Sequence, residues 1–437
     1  MSGVNKTLSS WGGNQSVGSK VYRTSWRSEP LPKVSTKLLA YGMGRSYGDS
    51  CLLNNGTFIE THDLNHFISF DSSRGLIRVE AGCTMAALLR FCVPHGWFAP
   101  VTPGTKFVTL GGCLANDIHG KNHHNAGSFG CFVPRFGLRR SDGSELECSP
   151  DRNPELFCAT IGGLGLTGLI LWLELQLKPI RSPLISQTKT LLSGLDSFFE
   201  HAEKEEAEFE YSVAWLDVTH KGKPRGVFLA GNHAKQASAL EHTLPVPLLS
   251  LPFQLPDAAL SGWSIGLMNS GYYLSNVFSP KRNELFYDSF FYPLDSVAHW
   301  NRAYGAKGLR QYQFVVPRQN GLDVLAEVLD KVQVARQSSF LTVVKLFGNR
   351  RSPGILSFPR AGVTVCFDFP NLGAATERLL DDLDTTVFSC GGALYPAKDC
   401  RMSPDAFERS FPKHKEFKKW IDPAFASTFS QRIGLTS

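Results

Sequence analysis

Hydrophobic and polar positions alternate most clearly over residues 75–82, GLIRVEAG, where Ile77, Val79 and Ala81 oppose Arg78 and Glu80. A period of two predicts a half-buried strand. The period then changes. In TMAALLRFCVPHG, residues 84–96, Met85, Leu88, Leu89 and Cys92 recur at helical spacing. Thr84 is placed to cap that helix, and Pro94 and Gly96 to end it. FGLRRSDGSELECSP reads as a hairpin turning at Asp142–Gly143, PELFCATIG as a helix, and GLILWLELQLKPI as a long strand.

Over residues 311–395 the order is again readable. QYQFVVP is a strand, and LDVLAEVLDKVQVARQ is a helix turning Leu325, Val328, Leu329 and Val332 inward. FLTVVKLF and VTVCFDF are strands, ATERLLDDLD is a helix and GGALY is a last strand. This β-α-β-β-α-β order predicts an antiparallel sheet with helices on one face. In VTVCFDF, alternation sets Thr364, Cys366 and Asp368 on one face and Val363, Val365, Phe367 and Phe369 on the other. With 437 residues, more than one core is expected. The pattern divides the chain into an α+β unit over 1–182, a second domain over 183–395, and a segment over 396–437 that returns to the first.

One stretch breaks the pattern. Between His242 and Lys281 the only charge is Asp257, and prolines stand at 245, 247, 252 and 256. The prolines exclude a straight membrane-spanning helix. Residues 243–280 are either a long irregular loop or an apolar lid that receives a lipid or touches a bilayer. No uninterrupted apolar run is long enough to span a membrane. No apolar leader or twin-arginine pattern opens the chain. A cytoplasmic or peripheral membrane location is the expectation.

Composition changes little: 42% hydrophobic, 19% charged and a net charge of +6. The basic residues are scattered, so nucleic acid is not an expected partner. Ten cysteines without a C-x-x-C pair read as reduced thiols.

Three runs of small residues carry candidate chemistry. GGLGLTG contains G-x-G-x-x-G at Gly163, Gly165 and Gly168, but it follows a helix and precedes a strand, the reverse of a dinucleotide fingerprint. In ANDIHGKNHHNAGSFG, His119 and His123 are four apart, yet Gly120 and Lys121 stand where a zinc site carries its glutamate. No metal is expected. AYGMGRSYGDS offers free amides and a positive charge at Gly42, Gly44, Arg45, Ser46 and Gly48, a loop able to cradle a pyrophosphate. With TPGTKFVTLGG, these runs suit an extended, phosphate-bearing cofactor. Lys345 interrupts the apolar strand LTVVKLF, where a charge needs a partner.

Taken together, GRSYGD, PGT…GG…DIHGKNHH…GSFG, LFCATIGGLGLTG, KLFG, CFDFP and LYPAKD resemble the decaprenylphosphoryl-β-D-ribose 2-oxidase family of FAD-dependent, vanillyl-alcohol-oxidase-like flavoproteins, from about residue 37 onward. The resemblance implies a PCMH-type FAD-binding domain and a separate substrate domain. It also implies hydride transfer from sugar C2 to flavin N5, with the 2-hydroxyl becoming a ketone. Gly44, Arg45, Ser46, Tyr47 and Gly48 would hold the pyrophosphate, and Gly104, Thr105, Gly112, Asp117 and Gly120 the opposite wall. Gly168 would meet the adenosine end, and Tyr395 and Lys398 the flavin. Lys398 would stabilise charge at the flavin N1/C2=O edge; a solvated turn lysine is the alternative. His119 and Tyr47 would act at the flavin and substrate, His119 relaying or orienting a proton because an unperturbed imidazole titrates near neutrality. Lys121, Gln311, Gln313, Lys345, Thr364 and Cys366 would line the substrate pocket.

Many relatives tether FAD through a histidine in the pyrophosphate loop, where this chain has Arg-Ser-Tyr, so non-covalent FAD is expected. Asn116 and Thr364 depart from the family pattern, which has cysteine and asparagine there. The expected substrate is a polyprenyl-phosphate-linked pentose, and the expected partner a short-chain reductase completing epimerisation to the arabinose form. An oxidase of a free sugar, alditol or aldonolactone is the alternative. A non-catalytic lipid- or cofactor-binding protein is a third reading.

Overall fold

A computed structural model describes residues 3–220, 222–240, 249–256 and 261–437. Strands β1 (Val4–Ser9), β2 (Ser16–Arg23), β3 (Leu38–Tyr41) and β4 (Thr57–Glu60) form a first sheet in the order β1-β2-β4-β3, with β4 parallel to both neighbours. The second sheet is antiparallel. It joins β5 (Phe67–Asp71), β6 (Leu76–Glu80), β7 (Phe136–Arg139), β8 (Glu145–Cys148) and β9 (Leu169–Gln176) in the order β5-β6-β9-β7-β8.

The expected period-two face of β6 buries Ile77 and Val79 completely. Glu80, expected to face outward, is also buried, because it accepts from the His66 amide and lies 2.7 Å from that ring. Helix α1 (Met85–Cys92) starts where Thr84 accepts from the Ala87 amide, and packs Leu88 and Leu89 onto the same core. Helix α2 (Leu110–Ala115) is capped by Thr109, and α3 (Pro154–Thr160) leads through glycines into β9.

The third sheet contains β10 (Leu184–Leu192), β11 (Tyr211–Asp217), β12 (Arg225–His233), β13 (Arg282–Phe286), β14 (Leu309–Val316), β15 (Thr342–Phe347), β16 (Gly362–Pro370) and β17 (Ala393–Leu394). Their order is β13-β10-β12-β11-β15-β16-β14-β17, antiparallel throughout. Three amphipathic helices cover one face: α4 (Leu195–Glu205), then α6 (Gly321–Val334) and α7 (Ala374–Ser389). Val363, Val365 and Phe367 meet them in a core with Val328, Leu329 and Leu383. Alternation therefore turns Thr364, Cys366 and Asp368 to the opposite face.

That opposite face also carries α5 (Gly262–Val277), which corrects the expectation of an irregular loop. The helix begins beyond Pro256, with Ser261 accepting from the Ser264 amide, and Asn269 buries its amide against Asp217 and the Ser339 carbonyl. The remainder of the expected 243–280 lid at residues 243–248 and 257–260 lies outside the described residues. No helix among the described residues is long and apolar enough to cross a membrane.

Residues beyond β17 run back to the first sheet. Leu38 donates to the Ala424 carbonyl and accepts from the Ala426 amide, so the later segment lies alongside β3. Arg432 then pairs with Asp49 at 2.7 Å and Asp399 at 3.2 Å.

Candidate active site

The first two sheets and the face of the third that carries Thr364 and Cys366 enclose a cavity. At one end, the turn after β3 carries Gly44 at φ 59°, with no room for a Cβ beneath the Tyr41 hydroxyl. Arg45 follows, donating to the Phe107 carbonyl at 3.2 Å with its guanidinium 3.9 Å from the Trp11 ring. Burial pulls the Arg45 pKa down, partly opposed by Asp295. Across the cavity, Gly104 and, at φ 74°, Gly165 are backbone positions where an added Cβ would meet no protein atom and would stand in the cavity itself. Small residues here leave amides and width for a long, thin, anionic molecule.

The other end is lined by side chains from β14, β15 and β16. Lys345 donates to His119 Nδ1 at 3.1 Å, and His119 Nε2 lies 2.9 Å from the Gln313 amide. Gln313 also reaches Thr364, whose hydroxyl donates to the Phe314 carbonyl at 2.7 Å. Lys398 stands 3.9 Å from the centre of the Tyr47 ring. Tyr395 stacks on Phe358 and donates to the Asn116 carbonyl.

Among the described residues no carboxylate pairs with Lys345 or Lys398. Burial lowers both pKa values, that of Lys345 to about 8. Burial and then Lys345 hold His119 well below the usual imidazole range. The ring is neutral with both nitrogens engaged, so it serves as a hydrogen-bonding partner. The expectation of a near-neutral titration at His119 is corrected by this desolvation. Two half-buried cations with no ion-paired carboxylate favour an anion, or a group that becomes one.

Residues 31–149 match the model of an FAD binding domain. The chain is 35% identical to the decaprenylphosphoryl-β-D-ribose oxidase of Mycolicibacterium smegmatis, covering 98% of each chain. It belongs to that oxidase family. An uncharacterised protein of Streptomyces coelicolor is 30% identical over 80% of this chain and all of its own. The L-gulonolactone oxidase of Mus musculus is 28% identical over 38% of each.

For a member of this oxidase family, the cradle fits FAD: the open glycine positions and Arg45 suit its pyrophosphate, and two lysines without an ion-paired carboxylate suit an electron-rich ring. Gly44, Arg45, Ser46, Tyr47, Gly104, Thr105, Gly112, His119, Gly168, Gln311, Gln313, Lys345, Thr364, Cys366, Tyr395 and Lys398 come together on the cavity wall.

Four expected site residues do not line it. Gly48 packs against the Asp399 carbonyl, where a Cβ would collide. Asp117 turns away at φ 41° and accepts from the Gly130 amide and from Ser352 and Ser357. Gly120 sits against Thr102. Lys121 donates to the Phe290 carbonyl at 2.5 Å, and burial lowers its pKa to about 7.

The reading of residue types passed over Trp11 and Trp300, which flank the Arg45 end of the cavity as an edge-to-face pair. Nothing in their neighbours' pattern marks them. His123, the other half of the H-x-x-x-H spacing, packs on Phe347 instead of joining His119. No group of ligand residues able to hold a metal occurs among the described residues.

Proposed function

We propose that this chain is an FAD-dependent oxidase of a polyprenyl-phosphoryl-β-D-ribose, converting its 2-hydroxyl to a ketone in the first half of an epimerisation to the arabinose form. The observation that carries this is the pair of half-buried lysines without an ion-paired carboxylate, Lys345 and Lys398, at the end of a glycine-lined cavity, in a chain that matches a decaprenylphosphoryl-β-D-ribose oxidase along nearly its whole length.

Residues 1–182 form the FAD-binding part, 183–395 the substrate part, and 396–437 the returning segment that brings Lys398. Bound FAD supplies the two-electron oxidant. Gly44, Arg45 and Ser46 hold its pyrophosphate, and Lys398, braced on Tyr47, neutralises charge at the pyrimidine edge of the flavin. A fixed cation in a dry site stabilises such charge far more than one in water. His119, kept neutral, and Gln313 orient the sugar. Lys345, still largely ammonium at neutral pH, attracts the oxygen-rich or phosphate-bearing part of the substrate. FAD is held non-covalently: the pyrophosphate loop offers Arg45, Ser46 and Tyr47, and both nitrogens of His119 are already engaged.

The lipid tail and peripheral membrane contact fall to α5. Its outward face is uncharged, with Trp263 78% and Phe278 85% exposed and Leu267, Met268 and Leu274 between them. Exposed apolar surface of this kind marks an interaction site. A separate short-chain reductase then reduces the keto sugar. The location consistent with this is the cytoplasm or a membrane face.

The test is to purify the protein, record its visible absorption and add polyprenyl-phosphoryl ribose without oxygen. Bleaching of a yellow protein, slowed in Lys398→Met, is expected. Bleaching by free sugars, alditols or aldonolactones alone moves the assignment to the matched stretch shared with L-gulonolactone oxidase. Flavin that stays with acid-precipitated protein refutes non-covalent binding.

A further inference from the structure

Behind Tyr47, a buried carboxylate remains that the reading above does not use. Asp368 is fully buried on the cavity-facing side of β16, directly across the ladder from Gln311 of β14. Its amide donates to Ser339 at 3.0 Å, and its Oδ1 accepts from the Gln311 side-chain nitrogen. Gln311 lines the cavity, as does Tyr47. Among the described residues, Gln311 Oε1 has no partner although it is buried. Asp368 Oδ2 and the Tyr304 hydroxyl are likewise buried and without partners there.

An ionised carboxylate can only accept. Facing Asp368, the Gln311 amide must therefore present its NH2 group to the carboxylate, which leaves its carbonyl oxygen as the buried atom without a partner. A buried carbonyl left unpaired is unfavourable, so the site gains when a ligand hydroxyl donates to it. Resting on the functional reading above, we propose that Asp368 is a positioning residue: it fixes the Gln311 amide so that Oε1 accepts a hydrogen bond from a sugar hydroxyl other than the one oxidised. Specificity for a hydroxylated pentose is then set from behind the wall, by a residue that does not touch the substrate.

The charged and titratable groups facing Asp368 are Lys398, Tyr47, Tyr304 and Cys366. Burial pushes its pKa up to about 6, opposed by the Gln311 hydrogen bond and by Lys398. Tyr47 and Tyr304 are held well above their ordinary range and Cys366 at about 12, so none of these three changes charge between pH 5 and 7, while burial lowers the Lys398 pKa. Once protonated, Asp368 can donate, and the Gln311 amide is free to turn over.

The experiment compares the wild-type holoenzyme, Asp368→Leu, Gln311→Leu and the double variant. Anaerobic flavin reduction is followed with polyprenyl-phosphoryl ribose and with its 3-deoxy and 5-deoxy analogues. The wild type should prefer the parent over one deoxy analogue by about tenfold, as expected for one hydrogen bond to a buried group. Each single variant should shrink that preference to within about threefold, and the double variant should shrink it no further. Equal loss on all substrates in Asp368→Leu, with the preference intact, overturns the proposal.

Asp368→Asn and pH give a second reading should the leucine variant fail to fold. The wild-type preference should fall as pH drops through about 6 and stay flat in Asp368→Asn. A wild-type preference constant from pH 5 to 8 overturns the proposal. Carboxyl infrared bands read the titration in the substrate-free holoenzyme. A titration near 6 that is missing from Asp368→Asn supports the proposal even where polyprenyl-phosphoryl ribose proves not to be the substrate, and its absence counts against Asp368 whatever the substrate is.

Discussion

Lys398 makes no hydrogen bond to a carboxylate and rests on an aromatic face, an arrangement that costs the protein stability until negative charge arrives. Lys398→Met should keep FAD and slow anaerobic flavin reduction by about 10²–10³-fold, the usual loss when a preorganised charge-stabilising donor is removed. Lys345 gives a prediction with two signs. Its pKa in the fold, about 8, lies below the ordinary 10.5, so between these values the unfolded chain holds more protons and the substrate-free protein should gain stability as pH rises. Over the same limb, kcat/KM for a phosphate-bearing substrate should fall, because the ammonium is lost. Lys345→Met should flatten both profiles, in thermal melts and in steady-state kinetics.

Much of the wall at this scale was legible in the sequence. Period-two alternation in VTVCFDF put Thr364 and Cys366 on one face, and the same alternation held Asp368. What could not be read was direction within a turn. Asp117 and His119 are two apart in one run of small residues, yet the positive φ at Asp117 sends its carboxylate to Ser352 and Ser357, residues far along the chain.

Among the elements, α5 was the least legible. Its glycines, serines and lack of charge resemble a loop, and the neighbouring prolines reinforce that impression. The deciding interactions are tertiary: Asn269 pins it to Asp217 and Ser339, Tyr273 takes the Arg225 guanidinium and Trp215 meets Tyr272. The β-α-β-β-α-β segment was far more legible, because its helices and strands each bury a regular stripe. Replacing Trp263, Leu267 and Phe278 by serine together should leave the melting temperature and turnover of a short-chain, detergent-dispersed substrate nearly unchanged, since exposed positions cost little. The same variant should no longer co-sediment with phospholipid vesicles. Retained sedimentation would move the membrane contact elsewhere on the molecule.

Across the whole molecule, the sheets are held around the cavity by long-range ion pairs. Arg432 ties Asp49, next to Gly48 in the glycine-rich loop after β3, to Asp399, next to Lys398. Arg432→Ala leaves two buried carboxylates facing each other and should cost about 3 kcal/mol in urea unfolding. Flavin should also be released more readily on dilution. The weave of the returning segment along β3 also sets an order of events at the ribosome. At ordinary rates of synthesis, tens of seconds separate the emergence of Arg45 from that of Lys398 and Arg432. During that interval the nascent chain has its glycine loop but neither Lys398 nor the Arg432 clasp, so the cavity wall is completed only on the released, or nearly released, polypeptide.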